Sequence, residues 1–190
     1  ESALPEPEPQ DEDSDTGKHD QTDIRFDKIE HFDNRFGNGK VEIEGFALTD
    51  YHGDKIEAVK TGMKVRLSML VRCHEEIPMP LAGFMIKDLL GNELIKTNSD
   101  ISGDILKPCS KGSVVTITFV FALPQLRSGS YSVSAGFGEG TVANHIVYDW
   151  VDNMTVFTLD SPDLSFGLLD IPVRTEMSVE REKEESLKTN

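Results

Sequence analysis

The chain has 190 residues and 37 % hydrophobic residues, room for one domain with tails and enough apolar material for one core. Its formal net charge of −15 excludes nucleic acid and anionic lipid as partners sought through the bulk field. No apolar run reaches the roughly 18 residues of a membrane span, and no basic start followed by an apolar stretch marks a signal peptide.

The charge is uneven. Residues 1–23 hold nine acids and one base, Lys18, so the remainder is only mildly acidic. In residues 1–22 Pro alternates with Glu before acids and small polar residues take over. Such a segment buries too little apolar surface to offset its ordering entropy, which predicts a disordered linker. A linker there implies something attached before it. The first residue is Glu rather than Met, so a fragment or processed product is expected.

From Phe36 the grammar changes to period two. Lys40–Asp50 reads as a first strand with Val41, Ile43, Phe46 and Leu48 inward, and Gly45 predicts a bulge. His52-Gly53-Asp54 marks a turn. Lys64–Cys73 alternates cleanly, with Val65, Leu67, Met69, Val71 and Cys73 on one face and Lys64, Arg66, Ser68 and Arg72 on the other. Leu81–Asp88 is the next strand, turned by Leu90-Gly91-Asn92-Glu93 into Leu94–Thr97. Residues 99–112 read as a loop with room for one helical turn. Ser113–Ala122 and Ser130–Gly138 follow, the latter with Tyr131, Val133, Ala135 and Phe137 inward. His145–Val151 and Met154–Leu159 read as a hairpin around Asp152-Asn153. Phe166–Val173 reads as an edge strand because of Pro172.

Eight or nine short strands without helical period predict an all-β, antiparallel, immunoglobulin-like sandwich over residues 23–173. Residues 174–190 form a charged tail. Cys73 and Cys109 are too few for a disulfide framework, and Cys73 sits where a buried thiol acts as a small hydrophobe. A reducing compartment is expected.

Motifs for catalysis and cofactors are lacking. Gly39-Lys40 precedes a strand rather than a helix, and neither G-x-S-x-G nor H-E-x-x-H occurs. His74-Glu75-Glu76 reads as a solvated turn rather than a metal site. No cofactor and no metal are expected.

The informative residues are polar and aromatic side chains on faces the core does not need. Sugars are bound by aromatic stacking on their C–H face and by polar groups that reach adjacent hydroxyls. Trp150, the single tryptophan, and Tyr148 share one face in strict alternation, so either is a core residue or a stacking platform. His145 lies on the opposite face of the same run. Arg66 and Arg72 flank Ser68 on a face that is either solvated or a binding floor. Ser132 and Ser134 form a small polar stripe that is either filler or room for a ligand. Tyr131 reads as core, with its hydroxyl tied to backbone. Asp149 and Asp152 are glycosidase carboxylates by residue type alone.

The order of segments carries a further signal. It runs G-x-V-x-I at Gly39–Ile43, K-T-G-x-x-V-x-L at Lys60–Leu67, and G-F-M-I-K-D-x-x-G-x-E-L-I-x-x-N at Gly83–Asn98. V-x-I-x-F-x-F-x-L-P-x-L-x-S-G-x-Y-x-V at Val115–Val133 and V-Y-D-W-V-D-N-M-x-V-F-x-L at Val147–Leu159 complete it. Over residues 36–160 this resembles the carbohydrate-binding C-terminal domain of O-antigen polysaccharide ABC transporter ATP-binding subunits, the Wzt type. The resemblance implies a non-catalytic module, tethered to a cytoplasmic ATPase domain, that recognises the capped non-reducing end of a lipid-linked O-antigen glycan. It implies partnership with the transporter's membrane subunit at the inner membrane, and a homodimer with exchanged C-terminal strands, for which Phe166–Val173 is the fitting segment. A dimerisation or docking module without sugar recognition is the alternative.

Overall fold

Side chains of alternating character need two layers to hide one face of each strand. The computed structural model, which describes residues 24–56, 58–161 and 167, has that arrangement. Its strands are β1 (Asp27–Lys28), β2 (Asn34–Gly37), β3 (Val41–Asp50), β4 (Ala58–Lys60), β5 (Lys64–Cys73), β6 (Pro80–Asp88), β7 (Glu93–Asn98), β8 (Val114–Ala122), β9 (Gly129–Thr141) and β10 (Asn144–Asp160). No helix occurs among the described residues. A four-stranded sheet has the order β1-β3-β5-β8, and a six-stranded sheet has β2-β10-β9-β6-β7 with β4 added beside β10. Pairing is antiparallel except for β4 on β10. The predicted linker over 1–22, the strand Phe166–Val173 and the tail 174–190 lie outside the described residues, apart from Gly167.

The core sits between the sheets. Val41, Ile43 and Phe46 of β3 and Val65, Leu67, Met69, Val71 and Cys73 of β5 face Ala82, Phe84 and Ile86 of β6. Tyr131, Val133, Ala135 and Phe137 of β9 complete that wall. Phe84 packs against Phe119 and Phe121 of β8, with ring centroids 4.9 and 5.0 Å apart. The register of β3 on β5 shifts between Ile43 and Gly45, the bulge that Gly45 predicts. The Tyr131 hydroxyl donates to the Arg127 carbonyl at 2.5 Å, as its position after a turn glycine predicts. Cys73 and Cys109 are buried free thiols. Burial and the neighbouring Cys73 push the Cys109 thiol up to about 11, so it stays protonated and inert.

One polar clasp joins the layers. Arg35 of β2 holds Asp149 of β10 through Nε at 2.9 Å and Nη2 at 2.6 Å. The same carboxylate accepts the Ile43 N–H of β3 at 2.7 Å, and Arg35 donates to the Ile43 carbonyl at 3.2 Å. The hydrogen bond to Asp149 outweighs burial and raises the Arg35 pKa.

One expectation is corrected. Asp152-Asn153 is not a hairpin turn: β10 runs unbroken for 17 residues. Asn153 takes the left-handed φ of 51° inside a bulge, where β10 shifts register on β9 between Val151 and Thr155. A residue tolerating positive φ serves a turn and a bulge equally, and only the partner strand decides. The true hairpin turn is Val142-Ala143, between β9 and β10. The loop over residues 99–112 holds a single turn of helical type, in which the Ser102 N–H donates to the Asn98 carbonyl at 3.1 Å.

Candidate functional site

A second bulge in β10 sets the site. Val147 pairs with Gly138 and Asp149 with Phe137, so Tyr148 is an extra residue. The bulge breaks the parity that strict alternation assumes. Tyr148 turns into the core at 1 % exposure, and Trp150 turns to the outer face of the six-stranded sheet. Tyr148 is therefore unavailable as a platform. Its hydroxyl bonds to Glu139 and is approached by Lys40 at 3.4 Å. Burial, then the Glu139 hydrogen bond, raises its pKa.

The registers place one row of residues straight across the sheet. Phe36 of β2 opposes Trp150, Trp150 opposes Gly136 of β9, Gly136 opposes Gly83 of β6, and Gly83 opposes Asn98 of β7. The two glycines make this row a trough. A Cβ on Gly136 would lie 2.3 Å from Trp150 Cε3, and one on Gly83 would lie 2.8 Å from the Thr97 carbonyl oxygen. The indole thus lies over Gly136, with Phe36 stacked beyond it at a centroid distance of 6.4 Å. Glycine at these strand positions permits a close approach that any other residue would block.

A groove of about 340 Å³ opens over the trough, within the range of small-molecule sites. Leu81, Val147 and Ile146 line one side, Ile101 and Val142 close an end, and Lys96, Asn98 and His145 stand among the lining residues. The end wall is tied together by Asp100, whose carboxylate accepts the Val142 N–H at 2.7 Å. Ile101, Val142 and Ile146 are exposed, so the groove rim is apolar. A larger, more open depression of about 500 Å³ lies beside β1. Among its charges, Arg35 is paired with Asp149, Glu44 with Arg72 and Asp27 with Lys55.

Beside the trough a polar network fixes the indole. Trp150 Nε1 donates to Asp152 at 3.0 Å, and Lys87 reaches the same oxygen at 3.4 Å. Burial opposes ionisation of Asp152, but the Trp150 hydrogen bond and the Lys87 charge outweigh it and hold its pKa below the usual carboxylate range. Ser132 donates to Asn153 Oδ1 at 2.8 Å, the Asn153 N–H donates to Ser134 Oγ at 3.0 Å, and Asn153 Nδ2 donates to Asp33 at 2.6 Å.

The sequence-derived residues divide accordingly. Trp150 and His145 line the groove. Ser132 and Ser134 lie on the same sheet face, spent on the Asn153 bulge, and Ser134 is fully buried. Arg66, Ser68 and Arg72 lie on β5, in the other sheet. There Ser68 is buried against Thr118 at 2.9 Å, and Arg72 forks onto Glu44 at 2.5 and 3.1 Å. These three do not meet the other candidates. Asp149 faces the core and Asp152 the outer surface, on opposite sides of one sheet, so they form no carboxylate pair. Among the described residues no three His, Cys, Asp or Glu side chains converge as a metal site. Sequence reasoning missed Gly83, Gly136, Lys96, Asn98 and the apolar rim. A signal existed in Gly136-Phe137-Gly138-Glu139-Gly140, where glycine recurs with period two on the face opposite Phe137.

Comparison with known proteins places this fold. A crystal structure of the C-terminal domain of Wzt superposes with a TM-score of 0.69 at 20 % identity, covering 76 % of this chain and 88 % of that one. A Niemann-Pick type C2 protein from Japanese carpenter ant covers 68 % of this chain and 99 % of its own at 11 % identity, with a TM-score of only 0.47. None of the curated proteins is similar enough to match. The sequence itself matches the Wzt C-terminal domain family over residues 33–171, and the chain belongs to that family.

Proposed function

We propose that this transporter domain is a non-catalytic module that reads the capped non-reducing end of a lipid-linked O-antigen glycan during ABC-transporter export. The observation that carries the reading is the row Phe36–Trp150–Gly136–Gly83–Asn98, which lays the indole over Gly136 at the floor of a groove of about 340 Å³. Stacking on the C–H face of a sugar needs that combination of flat ring and vacant space. Trp150 is the platform, and His145 and Asn98 stand where a sugar edge would meet polar groups. The partners are the ATPase domain of the same full-length protein and the membrane subunit, so the domain works in the cytoplasm at the inner membrane. A homodimer would raise weak single-site affinity through effective concentration. Titration of the purified chain with matched and mismatched polysaccharide, followed by Trp150 emission, tests this reading. Binding confined to the matched glycan is expected; equal affinity for both, or none, ends it.

A second reading, dimerisation or docking without sugar recognition, draws on β8. Among the described residues nothing pairs with its far edge, and its inward residues Val115, Ile117, Phe119 and Phe121 are only partly buried. An unpaired apolar edge is a template for another strand, and Phe166–Val173 of a second copy is the fitting occupant. Under this reading Val120→Lys, at an exposed edge residue, splits the dimer in sedimentation experiments, and Trp150→Ala leaves every measured function intact.

A further inference from the structure

We infer that Asn38 is a self-modifying site: in the folded chain it loses ammonia to the Gly39 backbone and converts to isoaspartate, and the lengthened turn draws Phe36 away from Trp150. The chemistry needs no glycan. It starts from the sequence, where Asn38 is the one asparagine followed by glycine. A following side chain shields the backbone nitrogen, and glycine has none. The Gly39 N–H gives its proton to hydroxide, and the nitrogen bonds to Asn38 Cγ. The Cγ–Nδ2 bond breaks, and Nδ2 leaves as ammonia after taking a proton from water. Water then opens the cyclic imide at either of its C–N bonds, giving aspartate or isoaspartate; nothing is oxidised or reduced.

The fold leaves each reacting group available. Asn38 and Gly39 are exposed in the turn between β2 and β3. Gly39 has a φ of 75°, and no atom lies within 4 Å of the place a Cβ would take, so hydroxide reaches its N–H and the imide ring has room. That N–H is held by a bond of 3.3 Å to the Tyr148 carbonyl, which the Asn38 N–H shares at 3.0 Å. The Lys40 N–H donates to Asn38 Oδ1 at 3.1 Å. It draws electrons from Cγ and steadies the negative oxygen that forms on attack. Asn38 Nδ2 has no hydrogen bond among the described residues, whereas that of Asn92 is held by Asp88 at 2.8 Å and that of Asn153 by Asp33 at 2.6 Å.

The turn spans two points fixed to β10. Gly37 pairs with Asp149, and the Ile43 N–H bonds the Asp149 carboxylate. Isoaspartate adds a methylene to the main chain between them. β2 is an edge strand of four residues, so it yields first, and its Phe36 carries the stack on Trp150. Aspartate keeps the original main chain and an acceptor for the Lys40 N–H, so it leaves the turn as it is.

Ageing of the full chain at neutral and mildly alkaline pH is the test. Peptide mass spectrometry follows each asparagine, methyl transfer from S-adenosylmethionine by an isoaspartyl methyltransferase counts isoaspartate, and Trp150 emission follows the stack. Asn38 is expected to convert at least about tenfold faster than any other asparagine, a barrier difference of about 1.4 kcal/mol, at a rate that rises with hydroxide. The emission shift is expected to track isoaspartate. Asn38→Gln, whose longer side chain closes the imide ring poorly, is expected to gain no isoaspartate and to keep its emission. Asn38→Asp, with the product carboxylate but no added methylene, is expected to start with the unaged emission. Conversion of another asparagine first, or a folded chain that converts more than about tenfold slower than the urea-unfolded chain, overturns the inference, because the turn then protects Asn38. An emission shift that appears equally in aged Asn38→Gln, or an aged spectrum in fresh Asn38→Asp, overturns it as well.

Discussion

The two outer faces of the sandwich begin from the same alternating grammar and end as different surfaces. On the four-stranded sheet, polar residues consume one another: Ser68 bonds Thr118, and Arg72 forks onto Glu44. On the six-stranded sheet, Gly83 and Gly136 carry no side chain in the middle of the face, Trp150 lies over Gly136, and a groove opens beside the indole. A face whose donors and acceptors are satisfied and whose side chains fill the surface offers a ligand little. A face with a trough, an aromatic wall and an apolar rim offers burial. The comparison shows why a stripe of arginines and serines is a weaker pointer to a site than an absence of side chains.

The largest expected effect tests what holds the two faces together. Asp149→Ala leaves Arg35 without its partner and the Ile43 N–H unsatisfied. A loss of about 3 kcal/mol follows, read by chemical denaturation, and variants of either outer face should cost less. Gly136→Val fills the trough and strikes the indole. It should abolish glycan binding at a stability cost of about 1–3 kcal/mol; retained binding would move the site off this face. Trp150→Ala removes the wall but leaves the floor. Affinity should fall at least tenfold, about 1.4 kcal/mol, with calorimetry as the measure.

A smaller effect comes with acid. Asp152 has a folded pKa below its unfolded value near 3.9. Its contribution is therefore fully present above the unfolded value and is lost as pH falls through the lowered folded one. Trp150 is the single tryptophan, so its emission should stay constant from neutral pH to about 4 and change only below that; an Asp152→Asn variant should lack this transition. The smallest effect is expected for Arg66→Ala and Arg72→Ala on the four-stranded sheet. Each should leave the denaturation midpoint nearly unchanged and alter glycan affinity by less than about twofold, because exposed charges in high dielectric contribute little. A large binding loss in either would reverse the assignment of the two faces.

Much of the fold was legible in the sequence because burial in a sandwich has period two. Lys64–Cys73 keeps its bounds as β5, and the Gly45 bulge falls where the lone glycine put it. The short strands β1, β2 and β4 were not legible, since two to four residues carry too little pattern to separate from loop. The site was half legible. Trp150 and His145 stood out by chemistry, whereas Tyr148 was assigned with Trp150 because one inserted residue reverses every later side chain, and nothing local marks that insertion.

By itself the sequence determined the all-β class, the two-layer core and the succession of the main strands, because each follows from which residues leave water and how often they recur. Only the tertiary structure decided that β10 is one strand with two bulges, that Tyr148 is inside and Trp150 outside, and that Gly136 lies beneath the indole. Those outcomes depend on which strand lies alongside and in what register. Backbone pairing over long sequence separations sets that, and the local pattern of polar and apolar residues does not encode it.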